Sequence, residues 1–379
     1  MPWKVDSAMS LRLEFVTFAA QPGANVSALC RRYGISRNTG YKWLERHAAG
    51  EPLSDRSRRP HRSPGRTEAA MEQRVLELRE RHPAWGGRKL RRRLLDQGHR
   101  DVPAVSVVHA ILQRHGLIDP SQSHKHRAMT RFERDEPNDL WQIDFKGHFA
   151  TERGGRCHPL TMLDDHSRYN LVLKACGDEQ NTTVKAALIA AFERYGMPRC
   201  LLSDNGPPWG SYGQQGNWTE LGVWLVRLGI TLVHGRPSHP QTQGKEERFH
   251  RTLKAEVLGT RMFRDLQHAQ EAFDAFRPVY NHQRPHEALG LEVPASHYHP
   301  ARRSYPSVLP VVEYAPGDTV RKVDASGRLW LHGQQHKVGT AFAGQHVALR
   351  PGPDDGEMEM YYCHQKVAMI DLRGESEPG

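Results

Sequence analysis

The sequence predicts a multidomain protein with an all-α N-terminal region, a central α/β domain built on a mixed sheet, and a small C-terminal β-barrel. Three patterns support this fold class. Residues 27–44 and 68–116 show helical apolar spacing, residues 140–233 alternate strands with helices, and short apolar strands separated by Gly-rich turns follow residue 302. A chain of 379 residues is long enough for two to four domains.

The first predicted domain, residues 1–50, has the pattern of a helix-turn-helix. Residues 27–33 have helical spacing behind a Ser27 N-cap, Gly34 provides the turn, and Ser36 caps a second helix that runs through Leu44. Four residues would line this second helix as a recognition helix: Arg37, Asn38, Tyr41 and Lys42. The same spacing also suits an ordinary helical hairpin. Gly34 and the polar face of the second helix favour DNA binding.

A basic linker is predicted over residues 51–67, because residues 54–66 lack apolar periodicity and are dense in Arg, Pro and Ser. It is either a solvated spacer or a basic strand along phosphates.

A second helix-turn-helix-like domain follows over residues 68–118, with a last helix capped by Ser106 and ended by Gly116. Its charged face would carry five basic residues: Arg88, Lys89, Arg91, Arg92 and Arg93. Residues 119–138 are expected to form a polar linker.

The central domain is predicted over residues 139–300. Five strands are expected, at residues 140–150, 159–163, 169–174, 199–203 and 230–233. Helices are expected at residues 181–195 and 218–228, so the five strands should form a mixed sheet with helices on its faces.

The remaining residues, 301–379, contain five short apolar strands with Gly-rich turns. That spacing is typical of a small β-barrel.

Three acidic residues in separate settings predict a catalytic metal site. Asp144 lies within the first strand of the central domain, Asp204 follows the fourth strand, and Glu247 lies in a later predicted helix. Two hard cations held about 4 Å apart need carboxylate oxygens that converge from separate elements. Ends of strands are also where sheet-based active sites form. The three acids therefore predict an enzyme that acts on phosphodiesters.

Helical geometry decides between the two neighbouring acids, Glu246 and Glu247. A helix that starts near Lys245 has one apolar stripe, formed by Phe249, Leu253 and Val257. At 100° per residue, Glu247 shares a different face with Arg251 and Lys254, whereas Glu246 falls close to the apolar stripe. Glu247 is therefore the predicted metal ligand. Arg251 and Lys254 would either follow DNA phosphates or form a solvated face.

A second acidic pair, Asp164 and Asp165, is adjacent at a strand end and is followed by His-Ser-Arg. This setting is more typical of turn chemistry than of catalysis.

The overall charge suits a polyanionic partner. The chain carries 53 Lys and Arg against 43 Asp and Glu, for a net charge of +10. No apolar run approaches the about 20 residues that span a bilayer, and the start has no signal-peptide pattern, so a cytoplasmic protein without membrane contact is expected. Five scattered cysteines without a Cys-x-x-Cys pair are expected to be buried thiols.

Across nearly its whole length, the sequence resembles bacterial insertion-sequence transposases with a retroviral-integrase-like catalytic core. The matching stretches are residues 30–44, 141–149, 203–209, 244–256 and 280–289. The resemblance implies a ribonuclease-H-like core and a DDE triad on Asp144, Asp204 and Glu247. The separation of 42 residues between Asp204 and Glu247 exceeds that of related cores, and a longer loop within residues 206–217 would account for it.

The resemblance also implies cofactors and partners. The triad would bind two Mg²⁺ or Mn²⁺ ions, and Lys245 and Arg248 would position phosphates. The partners would be double-stranded DNA, as the element's terminal inverted repeats and as target DNA, and further copies of this chain on paired DNA ends. Such a protein would be associated with the bacterial nucleoid. Two other functions are compatible with the sequence: a transposase-derived DNA-binding regulator without catalysis, and a nuclease with a ribonuclease-H-like fold.

Overall fold

The computed structural model describes residues 8–56, 67–119, 133–210, 218–234 and 244–373. The chain divides into two compact units, whose described parts are residues 8–56 and 67–373. The helices are α1 (Ala8–Ala19), α2 (Val26–Arg32), α3 (Arg37–Ala48), α4 (Ala69–Arg81), α5 (Gly87–Asp96), α6 (Val105–Arg114), α7 (Asn181–Tyr195), α8 (Glu220–Arg227), α9 (Gly244–Leu253) and α10 (Leu266–His282). The strands are β1 (Leu140–Phe145), β2 (Phe149–Ala150), β3 (Arg156–Asp164), β4 (Asn170–Cys176), β5 (Cys200–Ser203), β6 (Thr231–His234), β7 (Thr319–Lys322), β8 (Arg328–Leu331), β9 (Gln334–Lys337), β10 (His346–Pro351), β11 (Glu357–Tyr362) and β12 (Gln365–Asp371). No described helix is both long and apolar enough to cross a bilayer.

The first unit is a three-helix domain in which α2 and α3 form the predicted helix-turn-helix. Ser36 caps α3 as predicted, since its side chain accepts a hydrogen bond from Thr39 N, and Gly34 supplies the turn with φ +65°. The predicted cap of α2 is wrong: Asn25 rather than Ser27 caps it, because the helix begins at Val26, two residues earlier than a Ser27 cap implies. Helix α1, which the predicted motif lacks, completes the core.

The start of the predicted basic linker belongs to this first unit. Leu53 is buried, and Arg12 on α1 donates hydrogen bonds to the backbone oxygen of Leu53 and to Asp55. The rest of the predicted linker, residues 57–66, lies outside the described residues.

Helices α4 to α6 form the second predicted helical domain around the fully buried Trp85 and Leu90. The prediction that Ser106 caps the last of these helices is wrong, because α6 begins at Val105 after Ala104, which makes no side-chain cap. This domain packs directly on the central domain. Trp85 Nε1 donates to Glu256 Oε2 over 3.2 Å, and Arg284 Nε donates to Glu256 Oε1 over 2.8 Å. Most of the linker predicted between the two domains, residues 120–132, lies outside the described residues.

The central domain contains the predicted mixed sheet. Its long strands run in the order β4-β3-β1-β5-β6, and the two-residue β2 pairs with the start of β3. β3 is antiparallel to β1 and β4, whereas β5 is parallel to β1 and β6. The predicted strand at residues 140–150 is divided into β1 and β2, because Gly147 adopts φ +75° between them. Helix α7 has the predicted bounds.

Apolar side chains cover both faces of this sheet. Trp141 and Ile143 of β1 point to the face that packs against α7 and α8, as part of the largest core. Leu163 of β3 and Leu173 of β4 point to the other face, where α9 and α10 supply Phe249 and other aromatic residues. Because side chains alternate along a strand, Asp144 points to the same face as α9.

The C-terminal domain consists of sheets and does not form the predicted closed barrel. The four-stranded sheet has the order β12-β11-β10-β7, and β8 and β9 form a separate hairpin. The described strands leave β7 and β12 as open edges, so closure is absent from the described part of the domain. The domain instead buries its apolar face against the central domain: Trp218 Nε1 donates to Val367 O over 2.9 Å, and both domains share one core. A second hydrophobic surface removes the need for closure.

Candidate active site

Two of the three predicted catalytic acids lie side by side at the ends of neighbouring parallel strands. The register of β1 and β5 pairs Trp141 with Leu201 and Gln142 with Leu202. Continued by two residues, this register places Asp144 opposite Asp204. Adjacent strands are about 4.8 Å apart, so the two carboxyl groups are neighbours.

The two carboxyl groups influence each other's environment. Burial, reinforced by the charge of Asp204, raises the pKa of Asp144 from its ordinary 3.8 to about 7. Burial also raises the pKa of Asp204, although Gly206 N donates a hydrogen bond to its Oδ1. The charge of Glu179 acts on both groups in the same direction. Two acids that repel each other in a partly buried site are what a divalent cation would stabilise.

The acid of α9 that lies beside Asp144 is Glu246. Glu246 is only 1% exposed, and its pKa is raised well above 4.5 by burial and then by the charge of Asp144. Glu247 is exposed, as are Arg251 and Lys254, so the predicted division of the helix into faces is confirmed. The structure does not bring Glu247 together with Asp144 and Asp204. Placement of its carboxylate on the metal site stays a prediction.

A buried polar cluster joins Glu246 to the backbone of β1. Thr161, which pairs with Asp144 across β1 and β3, places its hydroxyl 2.9 Å from Glu246 Oε2 and 2.8 Å from His250 Nε2. Burial lowers the pKa of His250 to about 4, so the ring is neutral at neutral pH. No sequence motif indicates this cluster, since neither Thr161 nor His250 belongs to a metal-ligand pattern. Only the alternation of apolar and polar residues in β3 placed Thr161 on that face.

The donor set at Asp144 and Asp204 fits a hard divalent cation. Both residues offer carboxylate oxygens, the ligand type that Mg²⁺ and Mn²⁺ prefer, and Asp144 keeps a quarter of its side chain accessible. Among the described residues, no group of three His, Cys, Asp or Glu side chains is close enough to hold a metal ion. The pair therefore fits part of a metal site, and a third ligand must approach it.

Two of the predicted phosphate contacts make ion pairs within the chain. Lys245 Nζ lies 2.5 Å from Asp165 Oδ1 and is mostly buried, and its contact with DNA phosphates stays a prediction. Arg248 pairs with Glu287 over 3.0 Å, and both side chains are exposed. Lys245 and Arg248 thus fix the first turn of α9 to its neighbours. Arg251 and Lys254 have the exposure that a DNA contact requires.

The adjacent acids Asp164 and Asp165 have structural roles, as their sequence setting predicts. Asp164 accepts hydrogen bonds from Asn138 N, Ser167 N and Ser167 Oγ, and it is fully buried. Asp165 accepts from Gln142 Nε2 over 2.7 Å. These contacts hold the turn after β3 against β1.

The predicted recognition helix presents its polar face to solvent. Arg37, Asn38, Tyr41 and Lys42 all lie in the first half of α3 and are exposed, with Tyr41 57% exposed. The opposite face of α3 packs Gly40 and Trp43 into the core, and a Cβ atom at residue 40 would lie 2.5 Å from Cys30 Sγ. Close packing at Gly40 therefore fixes α3 against α2.

Comparison with protein-family models identifies every part of this architecture. A model of the IS481 family transposase C-terminal domain matches residues 318–378. Two integrase core domain models match residues 134–240 and 228–294. A helix-turn-helix domain model matches residues 11–61, and a homeodomain-like domain model matches residues 39–112.

Curated relatives include proteins of bacterial insertion elements and of retroviruses. The chain is 30% identical over 159 residues to a 31.7 kDa protein of insertion element IS407 from Burkholderia multivorans, covering 42% of this chain and 54% of that protein. It is 29% identical over 160 residues to a 39.2 kDa protein of insertion element IS476 from Xanthomonas euvesicatoria, covering 42% and 44%. It is 30% identical over 121 residues to the Gag-Pol polyprotein of koala retrovirus, covering 32% and 7%. The chain thus spans about half the length of the insertion-element relatives.

Solved structures with detectable similarity include retroviral integrases. The simian T-cell lymphotropic virus intasome in complex with PP2A regulatory subunit B56 gamma matches with 18% identity and a TM-score of 0.36, over 78% of this chain and 99% of that chain. The HTLV-2 integrase catalytic core domain in complex with magnesium, in its trimeric form, matches with 17% identity and a TM-score of 0.33, over 44% and 99%. At these scores the overall likeness supports no conclusion about this chain.

Proposed function

Because the chain belongs to the insertion-sequence transposases with an integrase core and N-terminal helix-turn-helix domains, we propose that it is a DDE transposase. It would bind the terminal inverted repeats of its element and catalyse metal-dependent DNA cleavage and strand transfer in the cytoplasm, at the nucleoid. Its central domain would then have the ribonuclease-H-like fold of related cores.

The observation that carries this proposal is the position of Asp144 opposite Asp204 at the ends of β1 and β5. The parallel pairing of β1 and β5 fixes the distance between the two carboxylates. Burial raises the pKa of both, so a bound cation would favour their ionised forms.

We assign the third ligand to Glu247 and a supporting role to Glu246. A metal ion that also contacts DNA must be reached from solvent, and Glu247 is exposed, whereas Glu246 is 1% exposed and contacts Thr161. The assignment requires that the first turn of α9 present Glu247 to Asp144 in the DNA complex, in an arrangement that differs from the one described above.

Asp144, Asp204 and Glu247 would hold two Mg²⁺ or Mn²⁺ ions. When bound, such ions lower the pKa of the attacking water or DNA 3′-hydroxyl and stabilise the leaving oxygen of an in-line displacement. The protein residues orient this chemistry: β1 and β5 fix the two aspartates, and Thr161 links Glu246 to the backbone of Asp144. No covalent protein intermediate is required.

The DNA substrate would be recognised by α3. Arg37, Asn38, Tyr41 and Lys42 form a contiguous exposed polar surface with donors at the helix N-terminus, where a recognition helix reaches base edges. Arg251 and Lys254 would contact phosphates next to the active site, which positions DNA without reading its sequence.

The test is a cleavage and joining assay with end-labelled terminal-repeat DNA, taken from the DNA flanking the gene, and a target plasmid. We expect metal-dependent cleavage and joining by the wild type, and loss by several orders of magnitude for Asp144→Asn and Asp204→Asn with DNA binding retained. Binding without cleavage by the wild type would identify a regulator without catalysis. Cleavage without joining would identify a nuclease.

The active form would be an oligomer assembled on two DNA ends. One set of acids holds one scissile phosphate at a time, and both ends of an element must be processed, so two chains are needed. A mixture of wild type with Asp144→Asn should therefore lose more activity than dilution alone explains. Activity proportional to the wild-type fraction would show that each chain acts alone.

A further inference from the structure

A concave basic groove lies beside the candidate active site. It has a volume of about 420 Å³ and is bordered by the segment that follows β1 and by the chain that follows α9. Three cationic residues line it: Lys146, Lys254 and Arg261. Its apolar wall includes Phe149 and Phe263, whose rings are 5.1 Å apart. We call this surface the basic groove.

The basic groove contains no acidic side chain, because none of its lining residues is Asp or Glu. Across the ranges that the structure describes, no carboxylate lies within ion-pair distance of Lys146, Lys254 or Arg261, in contrast to Lys245 and Arg248, which both have acidic partners. A concave surface that carries three cations and no acid favours an anionic ligand.

One lining residue of the groove, Lys146, lies close to Asp144. Lys146 is two residues beyond Asp144 on the same strand exit, and its charge acts on both Asp144 and His250. A ligand in the groove would therefore continue directly from a phosphate held at Asp144 and Asp204. A polymer with regularly spaced negative charges could place one phosphate at the acids and further phosphates in the groove.

A change of helix type shapes the other wall. After Leu253, residues Lys254–Leu258 form a π-helical turn, and Gly259 N donates to Lys254 O over 2.7 Å. A Cβ atom at Gly259 would lie 2.8 Å from the same oxygen, so the turn needs glycine there. π-turns widen a helix and are frequent at functional sites. Here the turn places both Lys254 and Leu258 on the groove.

The rim of the groove carries an exposed apolar side chain, Met262, against which the sugars of a nucleic-acid backbone could pack. Met262 is 68% exposed and lies between Arg261 and the buried Phe263. We propose that the basic groove binds the sugar–phosphate backbone of DNA immediately beside the bond that is cut, with Lys146, Lys254 and Arg261 on phosphates and Met262 against the sugars. This inference rests on the proposed function and extends its DNA path beyond the acids and α9.

The test measures binding of the full chain to a random-sequence duplex in EDTA, as a function of salt concentration. Removal of one phosphate contact should lower the slope of log Kobs against log salt by about 1. We therefore expect Lys146→Gln and Arg261→Gln each to lower the slope by about that amount, and Lys146→Arg to restore it. Arg264→Gln is the matched control, because Arg264 is exposed on the same segment but does not line the groove.

Slopes for Lys146→Gln and Arg261→Gln equal to that of Arg264→Gln would overturn the proposal. Loss of affinity for polyglutamate but not for the duplex would also overturn it, in favour of an acidic protein segment. Because binding is measured without metal or turnover, this result is independent of the cleavage assay. Failure of cleavage with a groove-dependent slope would refute the transposase activity alone, and the reverse result would refute the groove alone.

Discussion

Glu246 lies beneath Asp144, and one hydroxyl contacts them both. Thr161 Oγ1 is 3.0 Å from the backbone oxygen of Asp144 and 2.9 Å from Glu246 Oε2. Glu246 is thus tied to the strand that carries the first catalytic acid, while Glu247, one residue later, is exposed. The two neighbouring acids of α9 therefore have different physical environments and should respond differently to substitution.

We predict that Glu246→Gln keeps cleavage activity within about tenfold of wild type, whereas Glu247→Gln loses several orders of magnitude. Burial and the charge of Asp144 raise the pKa of Glu246 well above its ordinary value, and glutamine imitates the neutral form that this shift favours. At Glu247 the substitution removes a charged metal ligand. Initial rates with end-labelled DNA measure both. An inactive Glu246→Gln beside an active Glu247→Gln would move the third ligand to Glu246.

The raised pKa of Asp144 predicts a pH-dependent stability. Its folded value of about 7 lies above its ordinary 3.8, so the folded protein binds the proton more tightly and stability from this group falls as pH rises from about 4 to about 7. Asp144→Asn should therefore raise the Tm of the metal-free protein more at pH 8 than at pH 5. Thermal unfolding at both pH values measures this difference, and an equal gain at both would contradict it.

The same ionisation predicts the pH dependence of metal binding. A cation needs the deprotonated carboxylates of Asp144 and Asp204, whose pKa values are both raised, so Mn²⁺ affinity should increase from pH 6 to pH 8. Isothermal titration calorimetry measures it, with Asp204→Asn as the control that should bind weakly at both pH values. A constant affinity in the wild type would place the metal elsewhere.

The buried ion pair between Glu256 and Arg284, which accepts a hydrogen bond from Trp85 of the second helical domain, should be important for stability. Glu256 and Arg284 are 8% and 9% exposed, and Trp85 Nε1 also donates to Glu256. Glu256→Ala leaves the Arg284 charge buried without its partner and should cost about 3–5 kcal/mol of the free energy of unfolding. Urea unfolding measures this loss. The exposed pair of Arg248 and Glu287 provides the control, since Glu287→Ala should cost only about 0–1 kcal/mol.

Substitutions in α3 should separate base contacts from phosphate contacts. If Arg37 and Asn38 read base edges, Arg37→Ala and Asn38→Ala should each cost roughly 1–3 kcal/mol on terminal-repeat DNA and little on random DNA. Arg31→Ala, on the exposed end of α2, should show no such difference. Fluorescence anisotropy with both duplexes measures these affinities, for the full chain and for residues 1–66, which form a separate compact unit. Equal losses on both duplexes would identify phosphate contacts.

The sequence by itself determined the elements that local chemistry controls. Ser36 and Gly34 predicted the turn and the cap of α3, and the apolar period over residues 181–195 predicted the bounds of α7. The division of α9 into a buried and an exposed face also followed from 3.6-residue periodicity. In each case the residues that decide the structure lie within a few positions of one another.

Only the tertiary structure decided which partners those elements meet. Periodicity assigns Glu246 to the buried face of α9, but it does not predict the contact with Thr161, which precedes Glu246 by 85 residues in the sequence. The antiparallel register of β1 and β3 brings Thr161 to that position. The sequence predicts Lys245 as a phosphate contact, and only the structure shows its ion pair with Asp165. The spacing of the C-terminal strands predicts a barrel, whereas in the structure these strands form open sheets whose apolar face packs against the central domain. Long-range packing and burial set these outcomes, because the free energy of a polar or apolar side chain depends on the surface that covers it.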